Sequence, residues 1–282
     1  MKTCLVLEGG ALRGLYTAGV LDYLMDKKVK VDCIIGVSAG ALFGVNYFSN
    51  QKGRGLRYNL KYCNDKRYMS IRSFLLTGNI VNKNFAYYKV SKDLDPFDTE
   101  AFKKSKKSFY SVATNMDTGL AEYMKINDPI LQMEELRATS AMPMLSRIIK
   151  VGNNKYLDGA VADSIPVKKA LDMGYDRVVV VLTQPDGFRK PELTDKNMKK
   201  IMTKYKKYPK FVRTMLNRPD NYNKTLDFIK ELENKKDIFV IRPSKNIDVN
   251  PIKKTKEELQ DVYDTGFNDI KKCYKDLSKY LS

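Results

Sequence analysis

The chain has 282 residues, 43% of them hydrophobic, enough for one large domain or two ordinary ones and too apolar for wholesale disorder. It contains no histidine, which excludes the Ser-His-Asp triad, the Cys-His dyad, the HExxH zinc protease and the usual histidine-bearing zinc sites. A formal charge of +18 points to an anionic partner, whether membrane surface, nucleic acid or acidic protein, or simply to a lysine-rich solvated surface.

Cys4 to Leu7 reads as a short buried strand that ends in Gly9-Gly10. Leu15 to Met25 places Ala18, Leu21, Leu24 and Met25 on one side of a helix. Val31 to Val37 is a second strand and Ala39 to Phe48 a second helix. Residues 50 to 105 are less regular, with helical fragments, many tyrosines and a turn at Asp95-Pro96-Phe97-Asp98. Phe109 to Thr114 and Glu122 to Met124 read as strands, and Ile130 to Ser140 as a helix that stops before Pro143. Gly152-Asn153-Asn154 is a hairpin signal between Arg147–Val151 and Lys155–Leu157. Val167 to Met173 is a short helix ending at Gly174, and Arg177 to Thr183 is the clearest central strand. A Lys- and Tyr-rich segment with helical spacing, about 190–236, precedes the last strand, Ile238 to Ile241. Thr255 to Tyr280 is a closing helix. The βαβα order predicts an α/β fold: a mainly parallel central sheet flanked by helices, carrying a basic helical insertion within one domain.

Cys4, Cys33, Cys63 and Cys273 are scattered, with no CxxC spacing and no disulfide framework. The N-terminus is too short in apolar residues for a signal peptide, and no stretch approaches the ~20 apolar residues that span a bilayer. A cytoplasmic protein is the default expectation, with a signal-less secretion route left open.

Three motifs carry chemistry. Gly36-Val37-Ser38-Ala39-Gly40 is a GxSxG between a strand and a helix, the context of a nucleophile elbow. Such a turn crowds both flanks, so Gly36 and Gly40 leave room, and the following helix aims its positive end at developing negative charge. The same residues also describe a plain strand–helix connection capped by Ser38. Gly9-Gly10-Ala11-Leu12-Arg13-Gly14 exposes backbone N–H groups of the kind an oxyanion needs. A phosphate-binding loop or an ordinary βα turn would look similar, but neither GxGxxG nor the P-loop pattern is met. In a parallel sheet both loops lie on one edge and can converge. Asp158-Gly159-Ala160 follows a strand-like run; alone it is a turn, but a serine without histidine needs another base.

Together, in this order, the three motifs resemble the bacterial branch of the patatin-like phospholipases, over about residues 3 to 185, and Thr139-Ser140-Ala141-Met142-Pro143 is similar to that family's small-residue segment before the aspartate. The resemblance implies a three-layer sandwich and a lipid acyl hydrolase of phospholipase A or lysophospholipase type. It implies Ser38 as nucleophile, Asp158 as base, Gly9, Gly10 and Ala11 at the oxyanion, and Arg13 supporting their loop. Ala11 stands where the family usually has a third glycine, and alanine resists a positive φ. An ordinary aspartate is a poor base for serine, so Asp158 must bond Ser38 directly in a dry pocket. No cofactor or metal is expected, since backbone donors do that work and no calcium-loop pattern occurs.

The expected partner is a lipid or phospholipid substrate. The basic run Lys196 to Arg213, with Tyr205, Tyr208 and Phe211, is a candidate for peripheral contact with anionic headgroups, or simply a solvated helix face. Nucleic-acid binding is not expected, because no binding-fold signature accompanies the charge. The alternatives are a neutral-lipid lipase, a general carboxylesterase, or a non-catalytic protein binding membrane or nucleic acid.

Overall fold

The computed structural model describes residues 1–250 and 252–282. Its first elements are β1 (Thr3–Leu7), a 3₁₀ turn at Ala11–Arg13, α1 (Gly14–Asp26), β2 (Cys33–Val37) and α2 (Ala39–Phe48). Next come α3 (Arg54–Tyr62), α4 (Ile71–Thr77), a π-helical stretch (Lys83–Leu94) and α5 (Thr99–Lys104). The strands β3 (Ser108–Asn115) and β4 (Ala121–Lys125) lead to α6 (Met133–Thr139), then β5 (Ile149–Val151) and β6 (Asn154–Asp158). The chain continues with α7 (Val167–Asp172), β7 (Arg177–Val181), α8 (Asp195–Lys204), α9 (Pro209–Leu216) and α10 (Arg218–Asn234). It ends with β8 (Ile238–Ile241) and α11 (Lys256–Leu281).

Among the described residues, eight strands form one sheet, ordered β5-β6-β3-β2-β1-β7-β8, with β4 also paired to β3. From β3 to β8 along that order the pairings are parallel; β4, β5 and β6 join antiparallel. Strand periodicity sorts the apolar residues into two cores. Leu5, Leu7, Ile34, Phe109, Val179 and Val181 bury against the α1, α2 and α11 side. Their alternates Val6, Ile35, Val37, Val112 and Val180 bury against α7 and α10. This is the expected three-layer sandwich, and each fully buried valine or leucine contributes about 1.5–3 kcal/mol. Helices α1 and α11 cross where both are smallest: a Cβ on Gly19 would lie 2.1 Å from Tyr263 O, and one on Gly266 2.1 Å from Tyr16 O.

The register at β3 positions the site. Residues 108–112 of β3 pair with β2, and residues 113–115 with β6. Because β4 pairs with residues 110–114 and overlaps both, it occupies the opposite edge. β6 therefore takes over the edge that β2 leaves at Val37, which brings the residue after Val37 beside Asp158.

The differences from the sequence reading are local. The helix expected from Ile130 starts at Met133, because Asp128 Oδ1 accepts the Ile130 and Leu131 N–H groups and holds them in a turn. The strand expected to run to Thr183 ends at Val181, because the Thr183 N–H turns to the Glu8 carboxylate. The basic segment resolves into α8, α9 and α10, with the lysines of these three helices exposed but Tyr205 and Phe211 buried in a third core with Ala138, Ile149 and Leu157. Those two rings are thus unavailable to headgroups or bases, since they anchor the helices. Among the described residues, no helix is long and apolar enough to cross a membrane.

Candidate active site

Ser38 sits on the turn between β2 and α2 with φ 52° and ψ −122°. That region costs a non-glycine residue roughly 1–3 kcal/mol and persists only when the surroundings enforce it. Here they do. The Ser38 N–H donates to Thr139 Oγ1 at 2.9 Å, and the Ser38 carbonyl accepts from Ala41 N and Leu42 N at 3.0 and 3.1 Å. Gly40 lets the turn press on β1, since a Cβ there would lie 2.5 Å from Leu7 O. Gly36 sits similarly against the first turn of α2.

The strained turn aims Ser38 Oγ at Asp158, donating to Oδ2 at 2.8 Å. The second carboxylate oxygen, Oδ1, accepts from Ala160 N at 2.8 Å. The Asp158 backbone is fixed at both ends: its N–H donates to Ala141 O, and its carbonyl accepts from Thr114 Oγ1. Ser38 is 7% exposed and Asp158 4%. Burial pushes the Asp158 carboxyl above the usual carboxylate range, opposed by the bonds from Ala160 and Ser38 and by the Arg218 charge.

Gly9 packs against Ser38, and Gly9, Gly10 and Ala11 border the same cavity. Ala11 does adopt the left-handed conformation, with φ 49°. Among the described residues the Gly9 and Gly10 N–H groups donate to no protein acceptor. They and the N-terminus of α2 present donors and a positive dipole end near Ser38. The loop is braced through Glu8, the residue before Gly9: Glu8 Oε2 accepts from Thr183 N and Oγ1, and Oε1 from the Tyr222 hydroxyl at 2.6 Å. Burial raises the Glu8 carboxyl. Arg13 closes the loop through its backbone, N–H to Gly10 O, while its side chain borders the cavity with Nε buried and without a hydrogen-bond partner.

Two cavities meet at Ser38, sharing Ala11 and Met142 as well. One, about 120 Å³, is an apolar channel built largely by residues 54–97, with Leu42, Phe43, Tyr58, Met69, Val90 and Leu136 among its walls. The other, about 280 Å³, is a polar chamber bordered by Arg13, Lys190 and Arg218.

The fold thus assembles every residue expected at the site. It adds Thr139, Thr114, Glu8, Tyr222, Lys190 and Arg218, which the motifs did not single out. Thr139 lies in the quoted small-residue segment, where its hydroxyl was the available clue. Lys190, Arg218 and Tyr222 lie in the basic segment, where nothing distinguishes them from its solvated lysines.

The patatin-like phospholipase family model matches residues 5–171, well over half the chain. A second model, a domain of unknown function (DUF6363), matches residues 208–282. An uncharacterised protein of Escherichia coli K12, YjjU, is 30% identical over 250 residues, covering 86% of this chain and 69% of that protein. A probable lipid hydrolase, 463L, of Invertebrate iridescent virus 6 is 29% identical over 185 residues, covering 59% and 62%. The crystal structure of VipD from Legionella pneumophila aligns over 96% of this chain and 66% of that one, at 12% identity and TM-score 0.47. The chain spans about two thirds of the length of these relatives. With the matched stretch containing both Ser38 and Asp158, the chain belongs to the patatin-like phospholipase family.

Proposed function

We propose that the protein is a metal-independent lipid acyl hydrolase of phospholipase A or lysophospholipase type, one acyl-hydrolase unit working through a Ser38–Asp158 dyad. The observation that carries this reading is the 2.8 Å bond from Ser38 Oγ to a buried carboxylate, at the junction of an apolar channel and a polar chamber. Ser38 Oγ attacks the ester carbonyl while Asp158 Oδ2 takes its proton. The carbonyl oxygen, now negative, is received by the N–H groups of the Gly9-Gly10-Ala11 loop and the α2 N-terminus, preorganised donors of the kind that stabilise tetrahedral intermediates. Collapse expels the alcohol, which leaves with the proton from Asp158, and an acyl-Ser38 ester remains. Water then attacks that ester, Asp158 accepts its proton, and Ser38 recovers it as the fatty acid leaves.

Contact with a lipid surface is assigned to a different place from the basic helices. Ile71, Leu75 and Leu76 of α4 stand exposed beside Arg72, with Leu75 and Leu76 at 77% and 71%. Three residues past α4, the Ile80 N–H donates to Leu145 O, and Leu145 borders the polar chamber. An apolar ridge beside a cavity mouth is the kind of patch that marks membrane contact.

The test is hydrolysis of a short-chain p-nitrophenyl ester and of a phospholipid, with a chelator present. Wild type is expected to turn over both, and Ser38→Ala and Asp158→Asn neither. Activity that survives both substitutions refutes the dyad, and turnover of the simple ester alone refutes the phospholipase assignment in favour of a carboxylesterase.

A further inference from the structure

The polar chamber is richer in positive charge than the proposed chemistry needs. Arg13, Lys190 and Arg218 border it, and among the described residues none of the three has a carboxylate within ion-pair distance. The two carboxylates on its wall are engaged elsewhere: Glu8 holds Thr183 and Tyr222, and Asp158 holds Ser38 and Ala160. The cations are held in place. Asn223 of α10 grips Lys190 on both sides, accepting from its N–H at 2.8 Å and donating to its carbonyl at 3.0 Å. The Lys190 ammonium lies 4.4 Å over the Tyr222 ring, and Arg218 Nε donates to Ala160 O at 2.6 Å, which leaves the rest of its guanidinium for a ligand. Arg13 Nε is buried with no acceptor among the described residues. Like charges gathered this way repel, and an anion between them would remove the penalty while forming charge-assisted hydrogen bonds.

We infer that this chamber is a phosphate subsite, in which Lys190 and Arg218, with Arg13, hold the headgroup phosphate of a glycerophospholipid or lysophospholipid. The inference rests on the acyl-hydrolase reading and deepens it. The acyl arm lies in the apolar channel, the ester at Ser38, and the glycerol spans to the phosphate in the chamber. Lys190 and Arg218 lie outside residues 5–171, and Arg218 and Tyr222 lie within 208–282, so the segment of unassigned role supplies part of the substrate site. The charge state of Lys190 supports the assignment. Desolvation, then repulsion from Arg218 and Arg13, outweighs attraction to Glu8 and depresses its ammonium to about 8. In the empty chamber Lys190 therefore loses its charge as pH rises through about 8, and the preference for phosphate should weaken at and above that value.

The experiment uses 1-octanoyl-glycerol-3-phosphate and 1-octanoyl-glycerol, two soluble esters that share an acyl chain and differ in the phosphate. Wild type is expected to show a higher kcat/KM for the phosphate ester, and Lys190→Gln to lower that preference by about ten-fold, mainly through KM. Lys190→Arg should restore it. Titration calorimetry of Ser38→Ala protein with the same two compounds, and of Ser38→Ala/Lys190→Gln protein, reads the subsite without turnover. If no ester is hydrolysed but the phosphate ester binds through Lys190, the hydrolase reading fails and the subsite stands. Equal preference in wild type and Lys190→Gln, or equal binding of both compounds, overturns the subsite. Inorganic phosphate that binds as tightly as the phosphate ester overturns the headgroup assignment and makes the chamber a site for a free anion.

Discussion

Ser38 and Asp158 are 120 positions apart in sequence and 2.8 Å apart in the fold. What joins them is one edge of β3, which pairs first with β2 and then with β6, so that Ser38 leaves the sheet where Asp158 enters it. Neither strand alone makes the contact.

The buried carboxylate sets a pH profile. Burial raises the Asp158 pKa, and only the ionised form accepts the Ser38 proton. Activity should therefore rise with pH through a midpoint above the ~3.9 of a free aspartate, then level off. A kcat/KM profile on a neutral ester checks this, and a midpoint at or below the free value contradicts it.

The same burial makes Asp158 a liability for stability. Its folded pKa is raised, so above that pKa the ionised form is penalised in the native state and not in the unfolded chain; the penalty fades as pH falls through the folded value. Asp158→Asn removes it. The substitution should abolish most activity, by about 10²–10⁴-fold, yet raise the Tm at neutral pH, by about 2 °C per kcal/mol relieved. A lower Tm for the variant would contradict the account.

Thr139 holds the elbow through one hydroxyl. Thr139→Val keeps the shape and removes the acceptor for the buried Ser38 N–H, which should cost about 1–3 kcal/mol. It should also lower kcat by misaiming Ser38 Oγ, whereas Thr139→Ser should retain both. Thermal unfolding and steady-state kinetics on the three proteins decide it.

With the acyl chain in the apolar channel, as proposed, the channel should set chain length. Met69, in the 50–105 segment, lines it, and Met69→Trp should shorten it. The optimum in a series of p-nitrophenyl esters should move to shorter acyl chains, with acetate turnover little changed. An unmoved optimum would place the acyl chain elsewhere.

Much of this was legible in the residues themselves. The valines of β7 and the apolar runs of β1 and β2 announce buried parallel strands, because a strand covered on both faces is apolar at every position. Ser38 and its glycines announce the turn through its crowding. The contents of residues 50–105 were not legible. Their apolar side chains serve a channel, one small core of their own and the large core beside α1 and α2 rather than one helix face, so no single period emerges. Nor were Lys190 and Arg218, since a lysine facing a cavity and a lysine facing water look alike in sequence. Tyr205 and Phe211 point the other way: aromatic residues among lysines read as a surface motif, and their burial comes from packing against α6 and β5.

The most direct test of the central claim is intact-mass analysis and peptide mapping after reaction with a fluorophosphonate, which traps an activated serine. The account predicts one adduct, on Ser38, absent in Ser38→Ala and formed at least about 10²-fold more slowly in Asp158→Asn. Labelling of another serine, or labelling of Ser38 at the wild-type rate when Asp158 is asparagine, would contradict it.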